Sequence, residues 1–270
     1  MKSAILALSL LATSALAAPG TAHRRARHDR RMASGRRSQP IIRSNTTAPK
    51  FGPDAQSNVQ YSTNWAGAAL VGSGYTGVTG TFTVPNPQSP DGDDGNSYSA
   101  SAWVGLDGYT CETAILQTGV DFTVQDGEVS YDAWYEWYPD YAYDFSGIDF
   151  SAGDVVTVTV KATSKTGGTA TIQNQSSGQK VSHTFRNQRS GSLCETNAEW
   201  IVEDFEEGDS LVPLVNFGTV VFTNAYATTS SGTVGVSGAQ IVDMSTSGGS
   251  SGIEATASVS GNSEVVVKYV

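Results

Sequence analysis

Histidine, cysteine and basic charge are scarce in this chain of 270 residues, and each scarcity closes off a class of chemistry. Beyond residue 58 the only histidine is His183, in the alternating run Val181-Ser182-His183-Thr184-Phe185, which reads as strand surface. A Ser-His-Asp triad would have to use it. The only G-x-S-x-G match, Gly248 to Gly252, lies in a Ser/Gly-rich loop rather than between a strand and a helix, and reads as chance. Two cysteines, Cys111 and Cys194, and no H-E-x-x-H leave no cluster to hold zinc. The absence of Asp-Thr-Gly and Asp-Ser-Gly weighs against a paired-aspartate protease. No Gly-rich loop leads into a helix, so no phosphate cradle is expected. No metal or cofactor is expected, and catalysis falls to carboxylates and amides.

Basic charge is confined to one end. Residues 1–58 carry 10 Lys/Arg and 2 Asp, whereas residues 59–270 carry 6 Lys/Arg against 24 Asp/Glu, a net −18. So acidic a region repels nucleic acid and anionic membranes. It is expected to be more stable at about pH 3–5 than above pH 7, because self-repulsion grows as carboxylates ionise.

Long apolar runs are also missing. The Ala4–Ala12 run, interrupted only by Ser9, is too short to span a bilayer. Behind Lys2 and ahead of Ala15-Leu16-Ala17, it reads as a secretory signal cut after about Ala17. The protein is therefore expected to be secreted and extracellular. Residues 18–58 are Arg-rich and broken by Pro19, Pro40, Pro49 and Pro53. They are either a linker or, as the charge contrast favours, a removable basic pro-segment docking on the acidic domain. Asn45-Thr46-Thr47 and Asn174-Gln175-Ser176 match the glycosylation motif.

From residue 59 onward no 3.6-residue period is sustained. Short alternating runs are bounded by Gly, Ser, Asn and Asp. In the clearest, Val156, Val158 and Val160 face one way and Thr157, Thr159 and Lys161 the other. About a dozen such strands predict a sandwich of two antiparallel sheets in one domain, 59–270, with a monomer as the default. In a secreted chain the two cysteines are expected to form one disulfide.

Two stretches carry unusual side chains. In Tyr131–Pro139, alternation puts Asp132, Trp134, Glu136 and Tyr138 on one face, a mixture that suits a substrate groove or a solvated outer face. In Cys194–Phe205, Glu199, Ile201, Glu203 and Phe205 share a face. A carboxyl among apolar side chains has its pKa raised by desolvation and suits acid–base work.

Several blocks in order resemble the glutamic peptidase family, the eqolisins: Asn64–Gly67, Ala102–Gly108, Thr113–Gly119, Tyr131–Pro139 and Cys194–Phe205. The resemblance implies a concanavalin A-like or jelly-roll-like β-sandwich with a concave groove, and secreted acid endopeptidase activity on polypeptide substrates. The family's catalytic glutamine falls on Gln117 and its glutamate on Glu203. Its groove residues fall on Trp65, Trp103, Asp107, Asp132, Glu136 and Tyr138, and its disulfide on Cys111 and Cys194. The implied mechanism has Glu203 activate a water while the Gln117 amide stabilises the oxyanion. The resemblance also implies a basic pro-segment, consistent with residues 18–58 as this enzyme's own partner. Two other readings of the residues stay open here. One is a sandwich glycosidase using carboxylates such as Glu136 and Glu203; the other is a non-catalytic binding sandwich.

Overall fold

The computed structural model describes residues 35–44, 59–90, 92, 95–245 and 252–270. The signal sequence, most of the basic segment, Asn45 and the Gly248–Ser251 stretch lie outside the described residues.

The strands are β1 (Val59–Ser62), β2 (Trp65–Val71), β3 (Gly77–Thr83), β4 (Ser97–Leu106), β5 (Ile115–Gln125) and β6 (Glu128–Tyr138). They continue with β7 (Tyr143–Asp144), β8 (Val155–Ser164), β9 (Gly167–Asn174), β10 (Lys180–Phe185), β11 (Asn197–Glu203) and β12 (Glu206–Glu207). The last are β13 (Ser210–Leu211), β14 (Thr219–Thr229), β15 (Gly232–Gly235), β16 (Gln240–Ser245), β17 (Ile253–Ser260) and β18 (Glu264–Tyr269). No helix occurs among the described residues.

Hydrogen bonding follows one path, β10-β9-β8-β3-β14-β18-β17-β16-β2-β11-β4-β5-β6-β7. The path folds back on itself as a sandwich: β5 packs on β8 and β9, β4 on β3 and β8, and β11 on β3 and β14. The two layers are thus continuous through β17 and β16 rather than separate. Named strands pair antiparallel except β1, which runs parallel to β16.

Alternation builds the interior. Val156, Val158 and Val160 of β8 are buried. On the opposite face Thr157 and Thr159 exchange hydroxyl hydrogen bonds with Thr81 and Thr79 of β3, at 2.8 and 2.9 Å. Between the layers lie Phe82, Phe122, Trp137, Trp200, Phe217 and Phe222. Truncating one of these rings to Ala would cost about 3–5 kcal/mol through lost transfer energy and the cavity left behind.

A second apolar cluster forms on the other face of the β2-β11-β4-β5-β6 layer, around Trp65, Trp103, Trp134 and Ile201. The loop after β4 is fixed beside it. Cys111 and Cys194 form a disulfide. Asp107, at φ 68°, accepts hydrogen bonds from the backbone N–H groups of Cys194, Glu195, Thr196 and Asn197. Asn174, a matched glycosylation motif, is fully buried, and its Nδ2 donates to Asp149 O and Asp154 Oδ2, so no glycan is accommodated there in this fold.

Candidate active site

Strand register lines the concave face with three rows of side chains, because residues directly opposite one another in a sheet project the same way. The first row runs Glu199, Gly105, Gln117, Glu136. The second runs Ile201, Trp103, Gly119, Trp134. The third runs Trp65, Glu203, Ser101, Asp121, Asp132. Gln117 and Glu203, far apart in sequence, therefore share one face, and both are fully buried.

Glu203 is held on both oxygens. Trp103 Nε1 donates to Oε2 at 2.8 Å, and the backbone N–H of Gln39 donates to Oε1 at 3.0 Å. Burial pushes its pKa up to about 7, against the lowering pull of Arg36, the Ser38 hydroxyl and these two hydrogen bonds. Among the described residues, neither polar atom of the Gln117 side chain has a hydrogen-bond partner.

Gln39 belongs to residues 35–44, which lie along this face. Ahead of it, Arg36 is buried. Its Nε and Nη2 donate to the two Asp121 oxygens at 3.0 and 2.9 Å, and its Nη1 reaches Glu136 Oε2 at 3.3 Å. The guanidinium lies between two rings, 4.0 Å from the Trp134 centroid and 4.5 Å from that of Phe205. Such a planar cation matches both a bidentate carboxylate and aromatic faces. Arg37 exchanges both backbone hydrogen bonds with Glu206 and pairs with its carboxylate at 3.0 Å. Ser38 N donates to Glu136 Oε2, Trp65 Nε1 donates to Gln39 O, and Ile41 N donates to Gly108 O. Ile41 completes the apolar cluster with Trp65, Trp103 and Ile201.

The remaining carboxyls are shaped mainly by burial. Glu136 is raised well above the ordinary carboxylate range by desolvation, opposed by Arg36 and the Ser38 N–H. Glu199 is raised well above it by burial and by Asp107, opposed by the Tyr109 backbone N–H. Asp204 is pushed up to about 9 by burial, then by Glu254 and Glu203.

The sequence-derived groove residues divide. Trp65, Trp103 and Glu136 converge on the face that carries Gln117 and Glu203. Asp132 and Tyr138 are half-buried, Asp132 at the end of the third row and Tyr138 at the end of β6 beside the second cluster. Asp107 is placed otherwise: it is fully buried and its oxygens clamp the 194–197 backbone rather than facing a groove. Asp121, Glu206 and the two row glycines were not anticipated. The alternation Ile115, Gln117, Gly119, Asp121 carries the signal for Asp121, since it shares the face of Gln117.

His183 stacks on Tyr135 with ring centroids 4.0 Å apart and takes no part in this site.

Comparison with known proteins decides what such a face belongs to. Residues 63–269 match the model of the Peptidase A4 family. The chain belongs to the Peptidase A4 family. Aspergillopepsin-2 of Aspergillus niger is 53% identical over 99% of both chains, and Scytalidopepsin B of Scytalidium lignicola is 43% identical over 89% of both. A crystal structure of scytalido-glutamic peptidase with a transition state analog inhibitor superposes with a TM-score of 0.70 at 45% identity, covering 77% of this chain and 98% of that one. The aspergilloglutamic peptidase structure from Aspergillus niger gives a TM-score of 0.61 at 61% identity, covering 64% of this chain and 99% of that one. As a Peptidase A4 member this protein is a glutamic endopeptidase, and the glycosidase and binding-module readings fall away.

Proposed function

We propose that Glu203 and Gln117 are the catalytic dyad of a secreted acid endopeptidase, made as a zymogen whose residues 35–44 fill its own substrate groove. One observation carries the reading. A polypeptide backbone lies across the concave face with its Gln39 N–H on Glu203 Oε1, beside a Gln117 amide whose polar atoms are unpartnered.

The chemistry follows from the side chains. Ionised Glu203 takes a proton from a water, and the water oxygen attacks the scissile carbonyl carbon. The Gln117 Nε2–H donates to the developing oxyanion, and as an amide it stays a donor at any pH. The protonated Glu203 then returns its proton to the departing amine as the C–N bond breaks. With residues 35–44 in place, burial holds Glu203 near pKa 7, largely protonated in acid. Once that segment leaves and water enters, the desolvation falls, and the carboxyl moves toward its ordinary value of about 4, where it ionises in mild acid.

Acid also bears on release. Asp121 and Glu136 face Arg36, with Glu203 nearby and Arg37 on the same segment. Burial raises Glu136 well above the ordinary carboxylate range, so in acid Glu136 is neutral and the buried guanidinium of Arg36 has one counter-charge fewer.

The test is digestion of a denatured protein at about pH 3–4 by matured wild type, Glu203→Gln and Gln117→Ala. Loss of about 10²-fold or more in kcat for both variants, with folding intact, is expected. Wild-type turnover by either variant removes that residue from the dyad.

A further inference from the structure

We propose that Trp103 is the positioning residue that sets the spacing between Gln117 and Glu203, and that Gly105 is the residue that admits it. The proposal rests on the dyad reading above and deepens it.

Trp103 stands in the middle row, between the rows that carry the two dyad residues. One end of its indole holds Glu203, through the 2.8 Å hydrogen bond from Nε1 to Oε2. That bond leaves Oε1 as the oxygen presented to whatever occupies the groove, and it is Oε1 that the Gln39 N–H takes. The opposite end of the indole lies over Gly105. A Cβ built on Gly105 would fall 2.7 Å from Trp103 Cζ3, too close to exist, and 3.4 Å from Gln117 Cβ. Gly105 is also the direct cross-strand partner of Gln117. The six-membered ring of Trp103 and the stem of Gln117 thus flank the same point above one glycine.

This matters because hydrogen bonds do not orient Gln117: among the described residues neither of its polar side-chain atoms has a partner. Packing must fix an amide that hydrogen bonds do not. The indole is itself immobilised. It is fully buried, and Trp65 meets it edge-on with centroids 5.0 Å apart at 77°. On its other flank stands Gly119, where an added Cβ would lie 2.5 Å from Trp103 Cβ. One rigid aromatic plate therefore reaches from the glutamate to the glycine that stands directly opposite the glutamine. Catalytic groups must be held to fractions of an ångström, which is what a plate with no rotatable bond between its two contacts provides.

The experiment compares matured wild type, Trp103→Phe, Gly105→Ala and Glu203→Gln, reading kcat, KM and the pH profile of kcat on a denatured protein substrate, with melting temperature measured alongside. Trp103→Phe keeps a ring but removes the N–H. Gly105→Ala keeps the indole but drives it off its seat. Both are expected to lower kcat by roughly 10²-fold with KM changed less than about threefold, since positioning is expressed in the reacting state. Both should also move the acid limb of the profile to higher pH, because Glu203 loses a donor that favours its charged form. A purely structural role would lower the melting temperature and leave that limb in place. If the limb and kcat stay at wild-type values in folded Trp103→Phe, the proposal is overturned whatever Gly105→Ala does. Activity retained by Glu203→Gln would instead overturn the dyad reading, and this inference with it.

Discussion

The guanidinium of Arg36 sits over the Trp134 ring, 4.0 Å from Cζ to centroid, while Asp121 grips the same group through two hydrogen bonds. Neighbouring strands, β5 and β6, thus hold one cation with a carboxylate and an aromatic ring. Arg36→Met is expected to weaken docking of residues 35–44 by about 3 kcal/mol, on the order of 100-fold, because buried Asp121 loses its bidentate cation. A synthetic peptide spanning 35–44, titrated into the matured enzyme with and without this substitution, measures it. Equal affinity of the two peptides would show that backbone contacts alone hold the segment. The surface pairs Arg37–Glu206 and Arg43–Glu112 should contribute little and be screened by salt.

Stability should fall as pH rises from about 4. Glu136, Glu199, Glu203 and Asp204 all have pKa values raised in the folded chain, Glu203 to about 7 and Asp204 to about 9. A folded pKa above the unfolded one gives stability that is complete below the unfolded value, about 4, and is lost as pH climbs through the folded one. Thermal melts from pH 3 to 9 check this. A melting temperature that climbs steadily from pH 4 to 8 would contradict it. The self-repulsion of an acidic surface acts in the same direction, but the buried carboxyls place the loss at particular residues.

Glu199 allows that assignment to be isolated. It is fully buried, and Asp107 repels its charged form, with only the Tyr109 backbone N–H to oppose them. Glu199→Gln keeps the shape and removes the titration. The variant should melt near the wild type at about pH 4 and above it at pH 7, by several degrees. Parallel melting curves for the two proteins across that range would assign the pH loss to other carboxyls.

The disulfide between Cys111 and Cys194 closes a loop with a sequence separation of 83. The paired Cys111→Ser and Cys194→Ser variant should lose about 4–5 kcal/mol on the chain-entropy account. Asp107, clamped onto the same segment, gives an independent comparison. Asp107→Asn halves its acceptor capacity for four backbone donors and should destabilise with the disulfide intact. Denaturant titration reads both, and an unchanged midpoint for Asp107→Asn would make the clamp dispensable.

The strands were legible because one pattern recurs. Val156, Val158 and Val160 alternate with threonines over a full strand, and β4, Ser97–Leu106, ends where the alternation ends. The short strands escaped for a physical reason. Val59–Ser62 has four residues and pairs in parallel with β16, and Gly232–Gly235 is held by a hairpin rather than by its own side chains. The layering also hides from sequence, since no local residue encodes that β16 and β17 join the two sheets.

At the site, Glu136 was legible from alternation and resemblance together, whereas Trp65 and Trp103 came from the resemblance alone. Asp107 was misplaced. In sequence it is one more carboxylate beside a glycine, and only its positive φ and the four N–H groups turned toward it reveal an anchor. Asp121 was overlooked because Val120-Asp121-Phe122 looks like an ordinary strand until Arg36 is placed against it. That pairing spans 85 positions and has no local signature.

Besides the Ser38 hydroxyl, the group that reaches Glu203 from the docked segment is a main-chain N–H, that of Gln39. Nineteen of the twenty amino acids carry that donor, so position 39 is free to drift through almost any side chain without releasing the glutamate. Proline alone is barred there. It stands instead at position 40, one step past the point where an N–H is required, and at that position only its carbonyl is used, as an acceptor for Asn64.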